Sequence, residues 1–355
     1  MSNLCSTLDL TGTWELRDEI LGLPLAAAAR LTAEPDGWQA QPVPGDIHQG
    51  LLAAGRIQEP LLGLNSFDCQ WTENRSWWFR RRFSVDEALL AAEVIELSAD
   101  GLDANAELFL NGRQIGSHRN AFRPFVLDVK PWLQAGENVL LIRLTTGVET
   151  VSEADLDEPD GIRAGTEAGN GRPERGEPRR TFVRKPQYSF GWDWSPRVAT
   201  TAIAGAVTLR GLNHAVLRRV NLVPRRDNDT DVTVRATLTV EQLHYYQTAD
   251  AEVALRLTDA TGRQFHARQA VLLRSGLNYI DLDVPVPEAR LWWPNGLGEA
   301  HLYRVEAELT VACETTALPA FDWGLRFLDL DTDGAFAVVV NGCRVFCKGI
   351  FVQIA

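Results

Sequence analysis

Short apolar segments, each closed by a turn signal, recur along most of the chain, and that pattern restricts it to β architecture. The stretch "NAELFLNGRQIGSH" shows the unit. Ala106, Leu108 and Leu110 share one face of a strand, because successive side chains alternate across the pleat. Asn111-Gly112 supplies the turn, since both central residues of a type I′ turn need positive φ. Arg113 to Ser117 returns as the second strand. "EVIELSADG" is an apolar strand running into a turn, and "FRPFVLDVKPWLQAGENVLLIRL" gives two more around a loop bearing Pro and Gly. Helix signals are few. One short helix is predicted near Asp46 to Ala54, with Asp46 as its N-cap.

Residues 149–180 break the pattern: they are polar, charged and rich in Gly and Pro. Such a stretch has little apolar surface to bury and is too long for an idle connection, so it is read as mobile or functional. Strands resume at "AVTLRGL" and continue through "DVTVRATLTVEQL", "AEVALRLTDATGRQ", "NYIDLDVPVP" and "HLYRVEAELTV". Their spacing predicts a second all-β sandwich of about 110 residues, with the boundary near Gly211-Leu212. From Phe321 the chain reads strand, acidic turn, strand, Asn341-Gly342 turn and strand.

At 355 residues the chain has room for about two or three domains. Its net charge of -12 argues against nucleic acid and anionic membranes as partners, because both call for Lys and Arg to neutralise phosphates. The basic tract Arg179 to Lys185 follows an acidic stretch and is read as a balanced surface loop. The start of the chain has no signal-peptide pattern, no segment has the length of a membrane span, and a cytoplasmic location is expected. Five cysteines, an odd and sparse count, fit a reducing compartment. Cys343 and Cys347 lie four apart on one strand, about 13 Å and too far for a disulfide. They are read as small buried hydrophobes.

Several catalytic signatures are missing: no P-loop, no GxSxG and no HExxH occurs. The six His residues show no local metal spacing, so neither metal nor cofactor is expected. "DLDTDG" opens like a calcium loop, but Val340 stands where a bidentate Glu is needed; a hairpin turn is the expectation. "YSFGWDWSPRV" sets Asp193 between Trp192 and Trp194. In an extended segment the two indoles share one side and Asp193 points to the other. A carboxylate beside aromatic faces suits sugar hydroxyls and pyranose C–H patches, while core packing plus a satisfied loop Asp suits the same residues. "RLWWPNGLGEAHLY" is a second aromatic stretch, read as packing between domains through Trp292 and Trp293.

Taken together, "NSFDCQWTENRSWWFRRRF", "LDANAELFLNGRQIGSHRNAFRPFVLDV", "RKPQYSFGWDWSP", "LWWPNGLGEAHLY" and "GLRFLDLDTDGAFAVVVNGCRVFCKG" resemble the β-mannosidases of glycoside hydrolase family 2. The resemblance implies an all-β chain: a jelly-roll, galactose-binding-like β-sandwich over residues 1–211, then an immunoglobulin-like β-sandwich over 212–322. Residues 323–355 become closing strands and the lead-in to a (β/α)8 barrel. The match stops after Gly349, at Ile350 to Ala355, so the chain is expected to be truncated before that barrel. Another departure is Ser195, where relatives usually carry Gly. In such relatives the two catalytic Glu residues sit in the barrel, so no catalytic residue is assigned and the chain alone is expected to be inactive. Carried over as substrate-binding positions are Trp192 and Asp193, and more weakly Lys185 and Gln187. The implied partners are β-mannosides or manno-oligosaccharides, bound weakly, and the catalytic barrel. Two alternatives are a stand-alone carbohydrate-binding module and a non-functional fragment.

Overall fold

The computed structural model of the protein describes residues 6–22, 27–157, 176–192, 194–334 and 336–349. They fall into two compact units that part between Gly211 and Leu212. Among the described residues the longest helices have seven residues, and none is long and apolar enough to cross a membrane. The protein is all-β.

The first unit is a sandwich. Its six-stranded sheet runs in the order Gln39–Val43, Gly12–Ile20, Arg75–Val85, Gly136–Thr145, Asn105–Leu110, Arg113–His118. Facing it is a sheet of Thr7–Asp9, Val207–Leu212, Val94–Ala99 and Phe125–Asp128. The period-two pattern of "SWWF" explains why the larger sheet is covered on both faces. Trp77 and Phe79 point into the inter-sheet core with Trp14, Leu97 and Ile142. Trp78, between them, joins Phe109, Leu141, Ala28 and Leu31 in a second core. Ala28 and Leu31 come from the helix Ala27–Ala33, which lids that outer face. Arg80 closes the helix end. Its guanidinium donates to Leu31 O at 2.9 Å and Glu34 O at 2.6 Å, forks onto Glu15 at 2.7 and 3.0 Å, and stacks on Trp38 at 3.9 Å. A cation there meets the negative end of the helix dipole.

Local signals act as their chemistry requires. Asn111 (φ 52°) and Gly112 (φ 79°) make the turn between Asn105–Leu110 and Arg113–His118. Asp46 caps the helix Ile47–Ala53, its carboxylate accepting from the His48 N–H at 2.8 Å. The second Asp46 oxygen accepts from Thr201 N–H at 2.9 Å, which fastens the start of this helix to the residue before the strand Ala202–Ile203.

The second unit stacks a sheet of Ala215–Arg226, Val232–Gln242 and Gly276–Val286 on one of Gln264–Leu273, Ala249–Thr258, Tyr303–Val311 and Glu314–Ala317, with Phe321–Trp323 also paired to Tyr303–Val311. Inward Val234, Ala236, Leu238 and Val240 meet Val253, Leu255 and Leu257 in its core. A small sheet of Leu328–Asp331, Ala337–Val340 and Cys343–Val345 follows. Asn341 joins it to the sandwich: its side chain accepts from Phe327 N–H at 3.0 Å and donates to Trp292 O at 3.0 Å. Arg326 covers the Trp292 ring at 4.8 Å. The aromatic turn therefore braces the sandwich against these closing strands.

One expectation needs correction and another holds. Cys343 and Cys347 are exposed; among the described residues the buried cysteine is Cys69. Register puts Cys343 opposite Val340 on the side that also carries Leu328 and Leu330, and those two leucines are exposed as well. The acidic "DLDTDG" segment forms a hairpin turn, as read, with Asp331 accepting from Asp333 N–H at 3.1 Å and pairing with Arg344.

Candidate functional site

The segment after residue 176 builds a small hairpin on the first unit. Phe190–Trp192 pairs antiparallel with Ser195–Arg197, Phe190 opposite Arg197 and Trp192 opposite Ser195. Only residues 193 and 194 join the strands, so this is a reversal and not the extended segment expected above. The two indoles consequently have different neighbours. Trp194 stacks on Tyr188 with ring centroids 5.5 Å apart. Trp192 stays 51% exposed at the tip. Phe190 anchors the base, fully buried with Val148, Ala199 and the partly buried Val183. Gly191 at φ 95° supplies a backbone conformation that side chains resist.

Behind Trp192 lies Arg180. Its guanidinium carbon sits 4.9 Å from the ring centroid, and it donates to Gly191 O at 3.0 Å. Arg180 is buried, and that burial pulls its pKa below the usual arginine value. It rides on the 3-10 turn Pro178–Phe182, capped by Glu177, which accepts from Arg179 N–H at 3.1 Å. Proline suits the first position of such a turn because that N–H has no partner within it.

Below the hairpin, two buried carboxylates share one guanidinium. Arg197 donates to Glu73 at 2.7 to 3.1 Å, to Glu177 at 3.4 Å, and to Gly176 O. Glu177 also takes a forked pair from Arg179 at 2.7 and 2.9 Å. Burial pushes the Glu177 carboxyl up, but the hydrogen bonds and charges of Arg179 and Arg197 outweigh it and hold the group below the usual glutamate value. Both carboxylates accept from arginine, so this pair is built to hold a loop. A glycosidase pair needs one acid free to protonate and one base free to attack.

The carried-over positions separate. Gln187 is exposed beside the hairpin. Asp193 lies outside the described residues. Lys185 turns inward: its ammonium is 3.1 Å from Asp103 Oδ1, donates to Thr200 O at 2.5 Å, and lies 5.2 Å from the Phe190 ring centroid. That cation is committed inside the unit and braces the loop. The basic tract is thus no solvated loop, since Arg180 and Lys185 are both buried. Sequence reasoning missed Arg180, Glu73, Glu177 and Arg197 as parts of this site. Arg180 stood in the basic tract and Arg197 in the same stretch as the two tryptophans, but neither stretch shows which carboxylate or ring its guanidinium meets.

A family model described as "Glycosyl hydrolase 2 galactose-binding domain-like" matches residues 26–205, and one described as "Glycosyl hydrolases family 2" matches residues 215–320. The chain belongs to glycosyl hydrolase family 2. Each model falls within one of the two units, so the family's galactose-binding-like and immunoglobulin-like domains account for both sandwiches. Among its relatives, beta-mannosidase B of Aspergillus flavus is 30% identical over 323 residues, covering 89% of this family 2 chain and 36% of the relative. Beta-mannosidase B of Aspergillus fumigatus is 29% identical over 321 residues, with 88% and 36% covered. The crystal structure of a beta-D-mannosidase from Dictyoglomus thermophilum superposes with a TM-score of 0.83 at 28% identity, over 97% of this chain and 40% of that one. An exo-chitosanase of Amycolatopsis orientalis shares the fold, with a TM-score of 0.67 at 16% identity, covering 96% and 36% of the two chains. The chain thus spans little more than a third of the length of the curated relatives it matches.

Proposed function

We propose that this family 2 chain supplies the sugar-facing, non-catalytic part of a β-mannosidase-like glycosidase. Its role is to hold Trp192 against a terminal β-linked mannose, with Asp193 and the exposed Gln187 as further contacts. The observation that carries the reading is the exposed Trp192 ring at a braced hairpin tip, in a chain whose relatives are named beta-mannosidases. A broad apolar ring face suits the C–H side of a pyranose, and its N–H offers one donor. Lys185 is proposed as a brace, since its charge is already paired. Bond cleavage is assigned to none of the described residues.

Calorimetry of the purified chain with mannobiose tests this reading. The expected result is weak, saturable heat that a Trp192→Ala change abolishes and an Asp193→Ala change reduces. Heat that survives Trp192→Ala, or none with folded wild type, overturns it. A stand-alone carbohydrate-binding module is the second reading, favoured by the same exposed ring; affinity in the low micromolar range would select it.

A further inference from the structure

We infer that Arg180 is a positioning residue for Trp192, fixing the ring for sugar stacking from behind. This rests on the proposed sugar contact at Trp192. Three observations converge. The Arg180 guanidinium lies over the Trp192 ring at 4.9 Å. The same guanidinium donates to Gly191 O at 3.0 Å, one residue before the tryptophan. Arg180 is itself buried while Trp192 is half exposed, so the cation backs the ring from inside the protein and the outer surface meets solvent. A planar guanidinium can stack and donate at once, which an ammonium does poorly.

The support extends one layer further. Glu177 caps the turn that carries Arg180 and is tied to Arg197, which stands on the returning strand of the hairpin. Arg197 is tied in turn to Glu73, on the 3-10 turn Gln70–Asn74. Both ends of the arrangement, turn and hairpin, are therefore fastened to the same half-buried guanidinium. Ordering the indole before a ligand arrives removes that entropy cost from binding.

The test uses the full chain labelled with 5-fluorotryptophan, the Trp192 resonance being the one lost in Trp192→Phe. In Arg180→Met the resonance is expected to move and broaden toward a solvent-exposed indole. Affinity for methyl β-D-mannoside is expected to fall about two- to fivefold, the scale of a surface cation–π contact. Arg180→Lys should restore part of both. A Trp192 resonance that stays in place in Arg180→Met, with the melting temperature intact, overturns the inference. If Arg180→Met fails to fold, Glu177→Gln decides: the same resonance should shift less but in the same direction, and an unmoved one counts against the inference. The resonance is read with or without sugar, so loss of sugar binding in the wild type sinks the proposed contact and leaves the positioning arm readable.

Discussion

Lys185 and Asp103 form an ion pair inside the first unit, 3.1 Å apart, with the lysine side chain fully buried and the aspartate nearly so. Thr200 completes it: its hydroxyl donates to Asp103 Oδ2 at 2.5 Å and its carbonyl accepts from Lys185 at 2.5 Å. The pair links the loop before the tryptophan hairpin to the strand Leu102–Asp103.

Lys185→Met leaves the Asp103 charge buried without its partner. The expected cost is about 3 to 5 kcal/mol, because an uncompensated buried charge keeps its full desolvation penalty. Chemical denaturation of the purified variant measures it. Pairing Lys185→Met with Asp103→Leu should recover much of the loss, since the charge is then gone.

Acid should loosen the loop through Glu177. Its folded pKa lies below the ordinary value of 4.5, so its contribution to stability is fully present above that pH and is lost as the pH falls further, through the folded value. Thermal melts between pH 6 and about pH 3 should fall less steeply in Glu177→Gln than in wild type.

Asn341 couples the closing sheet to the sandwich by two side-chain hydrogen bonds and by a left-handed backbone at φ 52°. Asn341→Ala removes both bonds and puts a less tolerant residue at that φ, an expected cost of about 1 to 3 kcal/mol. Hydrogen exchange should rise across residues 328–345 before it rises in the strand Val232–Gln242.

Thiol reactivity should sort by burial. Burial, and then the charges of Asp68 and Glu59, push the Cys69 thiol up, so it should resist a disulfide reagent in the native protein. Cys313, Cys343 and Cys347 are exposed and should react promptly. Mass spectrometry of the labelled peptides reads the order.

The sequence was most legible where one or two residues settle a backbone. Asn111-Gly112 and Asn341-Gly342 carry the positive φ their turns need, and Asp46 caps the helix it precedes. Strand content and the two sandwiches followed from the alternation of apolar residues. The site was less legible because its order is made by partners far apart in the chain. Nothing near Lys185 announces Asp103, and nothing near Arg197 announces Glu73. The segment around Trp192 and Trp194 has no turn dipeptide like Asn-Gly, so its reversal was hidden, and the indoles were placed on one side. The exposure of Cys343 is hidden from sequence because strand patterning reports which residues share a face, not whether anything covers it.

The central proposal is that these residues hold sugar and that bond cleavage falls to none of them; the buried carboxylates beneath the hairpin, Glu73 and Glu177, are both committed to arginines. Incubating the purified chain with an aryl β-D-mannoside and following release of the aryl group tests this most directly. The account requires release no faster than in buffer, in a preparation that still melts cooperatively. Release well above buffer that survives Glu73→Gln and Glu177→Gln would show unrecognised catalytic groups at work, and release abolished by either change would make that carboxylate catalytic; both contradict the account.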